Sequence, residues 1–127
     1  MPIHNLSDIH YFLQKLEESE FNFYLTGSRY FGVAREASDY DFFVQDSSEV
    51  REWLLKEGFR VLSTSYPNDN QIAVVYRHSK LEVDVQCMEN AALKLKAQLA
   101  INKVHALRFI TKAQHKYVWK AVYAALT

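Results

Sequence analysis

Cysteine is almost missing from this 127-residue chain, with Cys87 the only one. A single thiol cannot close an intramolecular disulfide, and no cysteine cluster exists to hold a structural zinc. No apolar run approaches the roughly 20 residues that cross a bilayer. The opening Met1-Pro2-Ile3-His4-Asn5-Leu6 lacks the basic start and apolar stretch of a secretory signal. These absences set the expectation of a soluble, cytoplasmic chain with no membrane partner. Glycine and proline are scarce, at three and two residues, and there are no repeats, low-complexity tracts or linkers. What is present argues against disorder. Hydrophobic residues make up 49% of the chain, including eight Phe, eight Tyr and two Trp, enough for the core of one domain of this length.

The net charge of zero conceals a split. Residues 1–89 hold all fifteen acids and eight bases, a net −7, whereas residues 90–127 hold seven bases and no acid. Such asymmetry points either to a phosphate-bearing partner for the basic tail or to attraction between the two halves of one fold.

Ser7 is placed to cap a first helix, whose Ile9, Phe12, Leu13 and Leu16 form one apolar face. Residues 21–25 read as an aromatic strand running into a turn at Thr26-Gly27-Ser28. Residues 29–38 are irregular or a short helix, and residues 40–44 form a second strand. Asp46 and Glu49 have the spacing of a capping box before a helix with Val50, Trp53, Leu54 and Leu55 on its apolar side, stopped by Gly58. A third strand covers 59–63 and a loop 65–70. Two further strands, 71–76 and 81–86, are joined by Arg77-His78-Ser79-Lys80. From about Met88 the pattern is helical, with a break near Thr111 and a last helix carrying Val118, Trp119, Val122 and Tyr123. The order predicts an α+β fold: one domain over 1–127, with a mixed sheet of four or five strands flanked by helices over about 7–88 and two C-terminal helices over about 89–126.

Two of the three glycines fall in Gly27-Ser28-Arg29-Tyr30-Phe31-Gly32. A residue without Cβ directly after a strand lets the backbone turn sharply and approach a ligand. Consecutive N–H groups and the Ser28 hydroxyl there would suit phosphate oxygens, although most Gly-Ser pairs are mere turns. Eleven positions on comes Asp39-Tyr40-Asp41, entering an aromatic strand. Side chains at i and i+2 of a strand share a face. Paired carboxylates on an apolar strand repel unless a cation lies between them, an arrangement that suits Mg²⁺. Asp84, between Val83 and Val85, is a third carboxylate if its strand lies beside the second. The alternative is that Glu82, Asp84 and Gln86 form the wet face of an edge strand.

Gly27-Ser28 followed by Ser38-Asp39-Tyr40-Asp41-Phe42-Phe43 resembles the signature of the DNA-polymerase-β-type nucleotidyltransferase superfamily, and is most similar to its minimal members. The resemblance covers residues 21–86. It implies transfer of an NMP from an NTP such as ATP to a hydroxyl, with Asp39, Asp41 and Asp84 holding Mg²⁺ or Mn²⁺. Asp84 would also help deprotonate the acceptor, and Gly27, Ser28 and Arg29 would bind the triphosphate. Two metals clamping the attacking and leaving oxygens need no protein nucleophile. The acceptor could be RNA (a tRNA end, for example), a protein or a small molecule, and a homodimer or partner protein could complete the recognition surface. A catalytically weak or inactive member acting as a nucleotide-binding or toxin–antitoxin-type partner is the main alternative, and phosphodiester hydrolysis at the same carboxylates a third.

Arg29 and Arg35 are equally readable as solvated or ion-paired. Lys112, Lys116 and Lys120 form a stripe on the last helix that Arg108 and Lys103 extend, either contacting acceptor or NTP phosphates or forming a solvated face. Tyr117 and Trp119 are expected in the core. The five histidines show no metal-ligand spacing, with His10 and His78 expected at the surface, and Cys87 reads as a small core residue.

Overall fold

The structure is a computed structural model that describes residues 6–31, 39–65, 73–105 and 112–126. In chain order these form α1 (Leu6–Glu18), β1 (Tyr24–Thr26), α2 (Gly27–Phe31), β2 (Tyr40–Gln45), α3 (Ser48–Lys56), β3 (Phe59–Ser65), β4 (Ala73–His78), β5 (Val83–Met88), α4 (Ala91–His105) and α5 (Lys112–Leu126). The five strands make one mixed sheet in the order β1-β2-β5-β4-β3. Only β2 and β5 are parallel; the other neighbours are antiparallel. The fold is α+β and ends in two helices, as the order of apolar patterns predicts. No helix among the described residues is long and apolar enough to cross a membrane.

Period-two alternation sorts the sheet into two faces. One carries Phe42, Val44, Phe59, Tyr76, Val83, Val85 and Cys87, and α1 and α3 cover it with Ile9, Phe12, Leu16, Val50 and Leu54. Each large apolar side chain removed from water here contributes about 1.5–3 kcal/mol. The other face carries Phe43, Ala73 and Met88 under Ala91 of α4. Beyond them Ala97 and Ile101 of α4 pack with Phe31, Trp119 and Tyr123.

Several local expectations are corrected. Helix α1 starts at Leu6, so Ser7 lies inside its first turn rather than before it. β1 begins at Tyr24; Phe21 and Phe23 instead pack their rings on Trp53. The cap of α3 is Ser47, whose Oγ accepts from the Val50 N–H, because Asp46 is taken up by a two-pronged pair with Arg51. Leu55 is 44% exposed, while Val50 and Leu54 are fully buried and Trp53 packs at the edge of the same core. Ser65 ends β3 rather than opening a loop. Gly58 does stop α3, with φ +98°. Tyr117 is 73% exposed, while Trp119 and Tyr123 take the inward positions of α5. Gly32, Arg35, Arg108 and Thr111 lie outside the described residues.

The largest shift is in the hairpin. β4 and β5 sit two residues later than the alternation alone suggests, so Arg77 and His78 belong to β4 and the connection is Ser79 to Glu82. His78 is half-buried against Phe12 and Phe59. Its Nδ1 accepts from the Lys80 and Leu81 N–H groups, leaving Nε2 to donate to the Glu57 carbonyl. Burial lowers its pKa below the usual histidine value, and the neutral ring acts as a turn cap rather than a surface group.

Candidate active site

One row of side chains crosses the α4 face of the sheet. Thr26 of β1 is the register partner of Asp41 in β2, Asp41 of Asp84 in β5, and Asp84 of Arg77 in β4. Residues directly opposite across a ladder share a face. Asp39 stands just before β2, where the Tyr40 N–H donates to the Glu82 carbonyl at 2.9 Å and continues the pairing with the β5 side. The topology therefore brings Asp41 and Asp84 side by side, with Asp39 at the margin. β5 is a central strand, so Asp84 is not on the wet face of an edge strand.

Arg77 gathers this charge. Its Nη1 lies 3.1 and 3.2 Å from the two carboxylate oxygens of Asp84 and 3.5 Å from Oδ2 of Asp39. Burial works against the arginine charge, but Asp84 and Asp39 outweigh it and raise its pKa. Asp41 is pushed up to about 6, chiefly by burial and then by the charges of Asp84 and Asp39, with Arg77 and Lys94 acting in the opposite direction. Asp84 is raised as well, mainly by burial, against the pull of Arg77. The row thus keeps more negative charge than its arginine balances.

The glycine turn lies against the row. Gly27 has φ +69°, and a Cβ there would come within 2.6 Å of Asp41 Oδ2. Only glycine allows both the left-handed backbone and this approach. α2 starts at once, and its Arg29 lays the guanidinium 3.9 Å from the centre of the Tyr40 ring. The Ser28 side chain is outside the described residues.

The next row is roofed by a lysine. Lys94 of α4 is only 4% exposed, and its Nζ donates to Gln86 Oε1 at 3.0 Å while facing the rings of Trp119 and Phe43 at 4.7 and 5.4 Å. One turn further, Gln98 is 1% exposed; its Nε2 donates to the Leu25 carbonyl at 2.8 Å and its Oε1 is buried without a partner among the described residues. The start of α4 is fixed by Gln45, whose Oε1 accepts from the Ala91 N–H, and by Asn90, whose Oδ1 accepts from the Leu93 N–H. Lys120 on α5 is exposed, and the side chains of Lys103, Lys112 and Lys116 are outside the described residues.

Sequence patterns find Asp39, Asp41, Asp84, Gly27 and Arg29 but miss Arg77, Lys94 and Gln98. Arg77 was legible in principle, since a four-residue connection from 79 to 82 sets 77 opposite 84 and so pairs opposite charges. Nothing local distinguishes Lys94 or Gln98 from other polar residues of a helix.

For a hard divalent cation, the donor chemistry fits: carboxylate oxygens of Asp41 and Asp84 from neighbouring strands. The arrangement is not a closed one. Among the described residues no group of three or more His, Cys, Asp or Glu side chains is gathered to hold a metal ion, and Arg77 already engages Asp39 and Asp84. Two cavities, of about 300 and 520 Å³, are lined by residues such as Leu13 and Phe42, and Gln45 and Leu95, and include none of the three aspartates. What sets the row apart among the described residues is its three carboxylates around one arginine. Compared with known proteins, the chain matches no protein-family model, no curated protein and no solved structure.

Proposed function

We propose that this chain is a Mg²⁺-dependent nucleotidyltransferase of the polymerase-β type, working in the cytoplasm on an NTP and a hydroxyl acceptor. The observation that supports it most is the register of Asp41 against Asp84 beneath Gly27, with Asp39 alongside. Asp39, Asp41 and Asp84 would hold Mg²⁺, or Mn²⁺ in its place, which when bound neutralises the triphosphate and the charge developing at the transferred phosphorus. The acceptor oxygen bonds to the α-phosphorus, the bond to the β-phosphate bridging oxygen breaks, and pyrophosphate leaves with that electron pair. Asp84 is the group assigned to receive the acceptor proton. Gly27 sets its turn against the Asp41 carboxylate, and Gly27, Ser28 and Arg29 of that turn would take the triphosphate. For Arg29 this requires leaving the Tyr40 ring. The acceptor is RNA, a protein or a small molecule, and the stripe of Lys112, Lys116 and Lys120 is assigned to its phosphates or to those of the NTP. A second protomer or a partner protein would complete the acceptor-recognition surface.

Incubation with α-³²P-labelled NTPs, Mg²⁺, total RNA and protein extract tests the reading. Covalent label is expected with the wild-type chain and not with Asp41→Ala. Equal labelling by both would sink the assignment. A second reading, an inactive nucleotide-binding or toxin–antitoxin-type partner module, draws support from the Arg77 ion pairs that occupy two of the three carboxylates. It predicts no covalent label from either protein.

A further inference from the structure

We propose that Arg77 is the resident counter-ion of the carboxylate row, that a divalent cation binds by displacing it, and that the released guanidinium then takes phosphate oxygens of the nucleotide. The inference rests on the nucleotidyltransferase reading and adds a positioning residue to it. One nitrogen, Nη1, is within 3.5 Å of three carboxylate oxygens, two on Asp84 and one on Asp39. A small hard cation needs those lone pairs at about 2.1 Å, in near-octahedral geometry. Arginine and metal therefore compete for the same oxygens. Asp41 stands beside Asp84 in the ladder, so one arginine faces three carboxylates.

Displacement is feasible because the arginine is held at the surface of the site. Its side chain is 36% exposed and that of Asp39 39%, whereas Asp84 is more enclosed at 18%. Half-exposed ion pairs of this kind are weak, so exchanging them for a divalent ion is favourable overall. The planar fork that leaves Asp84 is suited to phosphate in a way that a lysine point charge is not. Asp84 and Arg77 are register partners, so a nucleotide bound at the row meets the freed fork without any rearrangement of the sheet. Metal and nucleotide then assist each other's binding, and by linkage the assistance is reciprocal. Metal alone must leave Arg77 without a partner; metal with a triphosphate does not.

Mn²⁺ binding to the full chain, followed by electron paramagnetic resonance with and without a non-hydrolysable NTP analogue, tests this on wild type, Arg77→Gln and Arg77→Lys. Without nucleotide, Arg77→Gln is expected to bind Mn²⁺ about tenfold more tightly than wild type, with Arg77→Lys between them. The analogue is expected to tighten Mn²⁺ binding in wild type by about tenfold or more and to have much less effect on Arg77→Gln. Equal Mn²⁺ affinity of wild type and Arg77→Gln without nucleotide overturns the proposal even if nucleotide binds, leaving the nucleotidyltransferase reading intact. Tighter Mn²⁺ binding by Arg77→Gln, together with no response of the wild type to any nucleotide, upholds the displacement but overturns the phosphate role and the nucleotidyltransferase reading. If Arg77→Gln does not fold in chelator, the comparison is made with Arg77→Lys, and wild-type Mn²⁺ affinity in that variant is the overturning result.

Discussion

The two faces of this sheet are made by the same strands and have opposite chemistry. On one, Phe42, Val85 and Tyr76 lie across β2, β5 and β4 beneath α1 and α3 in one apolar cluster. On the other, the adjacent positions are Asp41, Asp84 and Arg77, followed by Phe43, Gln86 and Val75 under a buried Lys94. A one-residue slip of β2 would exchange the faces, which would bury two aspartates among aromatics. The apolar face therefore fixes the register that aligns the charged one. The largest apolar cluster lies on the first face and the candidate site on the second. Mutations that break one should leave the other recognisable.

The largest separation of the two is expected at Asp41. Asp41→Asn should lower metal-dependent transfer by about 10³-fold or more while the protein stays folded, because it removes a charge from the proposed metal site and none from the core. Transfer rates and far-ultraviolet circular dichroism check both halves. The converse variant is Phe59→Ala, at a fully buried position between Phe12 and His78. Its expected cost is about 3–5 kcal/mol in urea unfolding, with transfer retained by the molecules that stay folded. Gly27→Ala touches both, through its positive φ and the 2.6 Å approach to Asp41. A cost of about 1–3 kcal/mol is expected, together with weaker binding of metal and nucleotide.

A smaller effect concerns pH. Asp41 has a folded-state pKa of about 6, above the ordinary 3.8, so folding favours its protonated form. Stability from this group is present below about pH 4 and is lost as pH rises toward 6 and beyond. Asp41→Asn should therefore gain on wild type across that interval, by on the order of 1–2 kcal/mol after allowing for partial exposure, in chelator. Thermal melts at pH 4, 6 and 7.5 measure it. A constant difference between the two proteins would contradict the electrostatic picture of the row.

How much of this was legible before the structure depends on which elements meet. The spacing of Asp39 and Asp41 at an aromatic strand, and Gly27 directly after another, are local patterns, and Asp41 does lie in β2 and Gly27 directly after β1. The element order gave the α+β sheet for the same reason. Arg77 was missed because alternation does not decide where a hairpin strand ends, and a shift of two residues turned a strand arginine into a connection. Asp46 looked like a cap until Arg51, five residues on, supplied a better partner. Lys94 and Gln98 derive their meaning from Gln86, Phe43, Trp119 and Leu25, contributed by β5, β2, α5 and β1. No window on the sequence contains those contacts.

The claim that the charged face is a metal–nucleotide site is tested most directly by calorimetric titration of wild type and Asp41→Asn with ATP, GTP, CTP and UTP, with and without Mg²⁺. The account predicts that at least one nucleotide binds wild type only when Mg²⁺ is present, and that Asp41→Asn loses this binding. No binding of any of the four, or equal binding by both proteins, would contradict it.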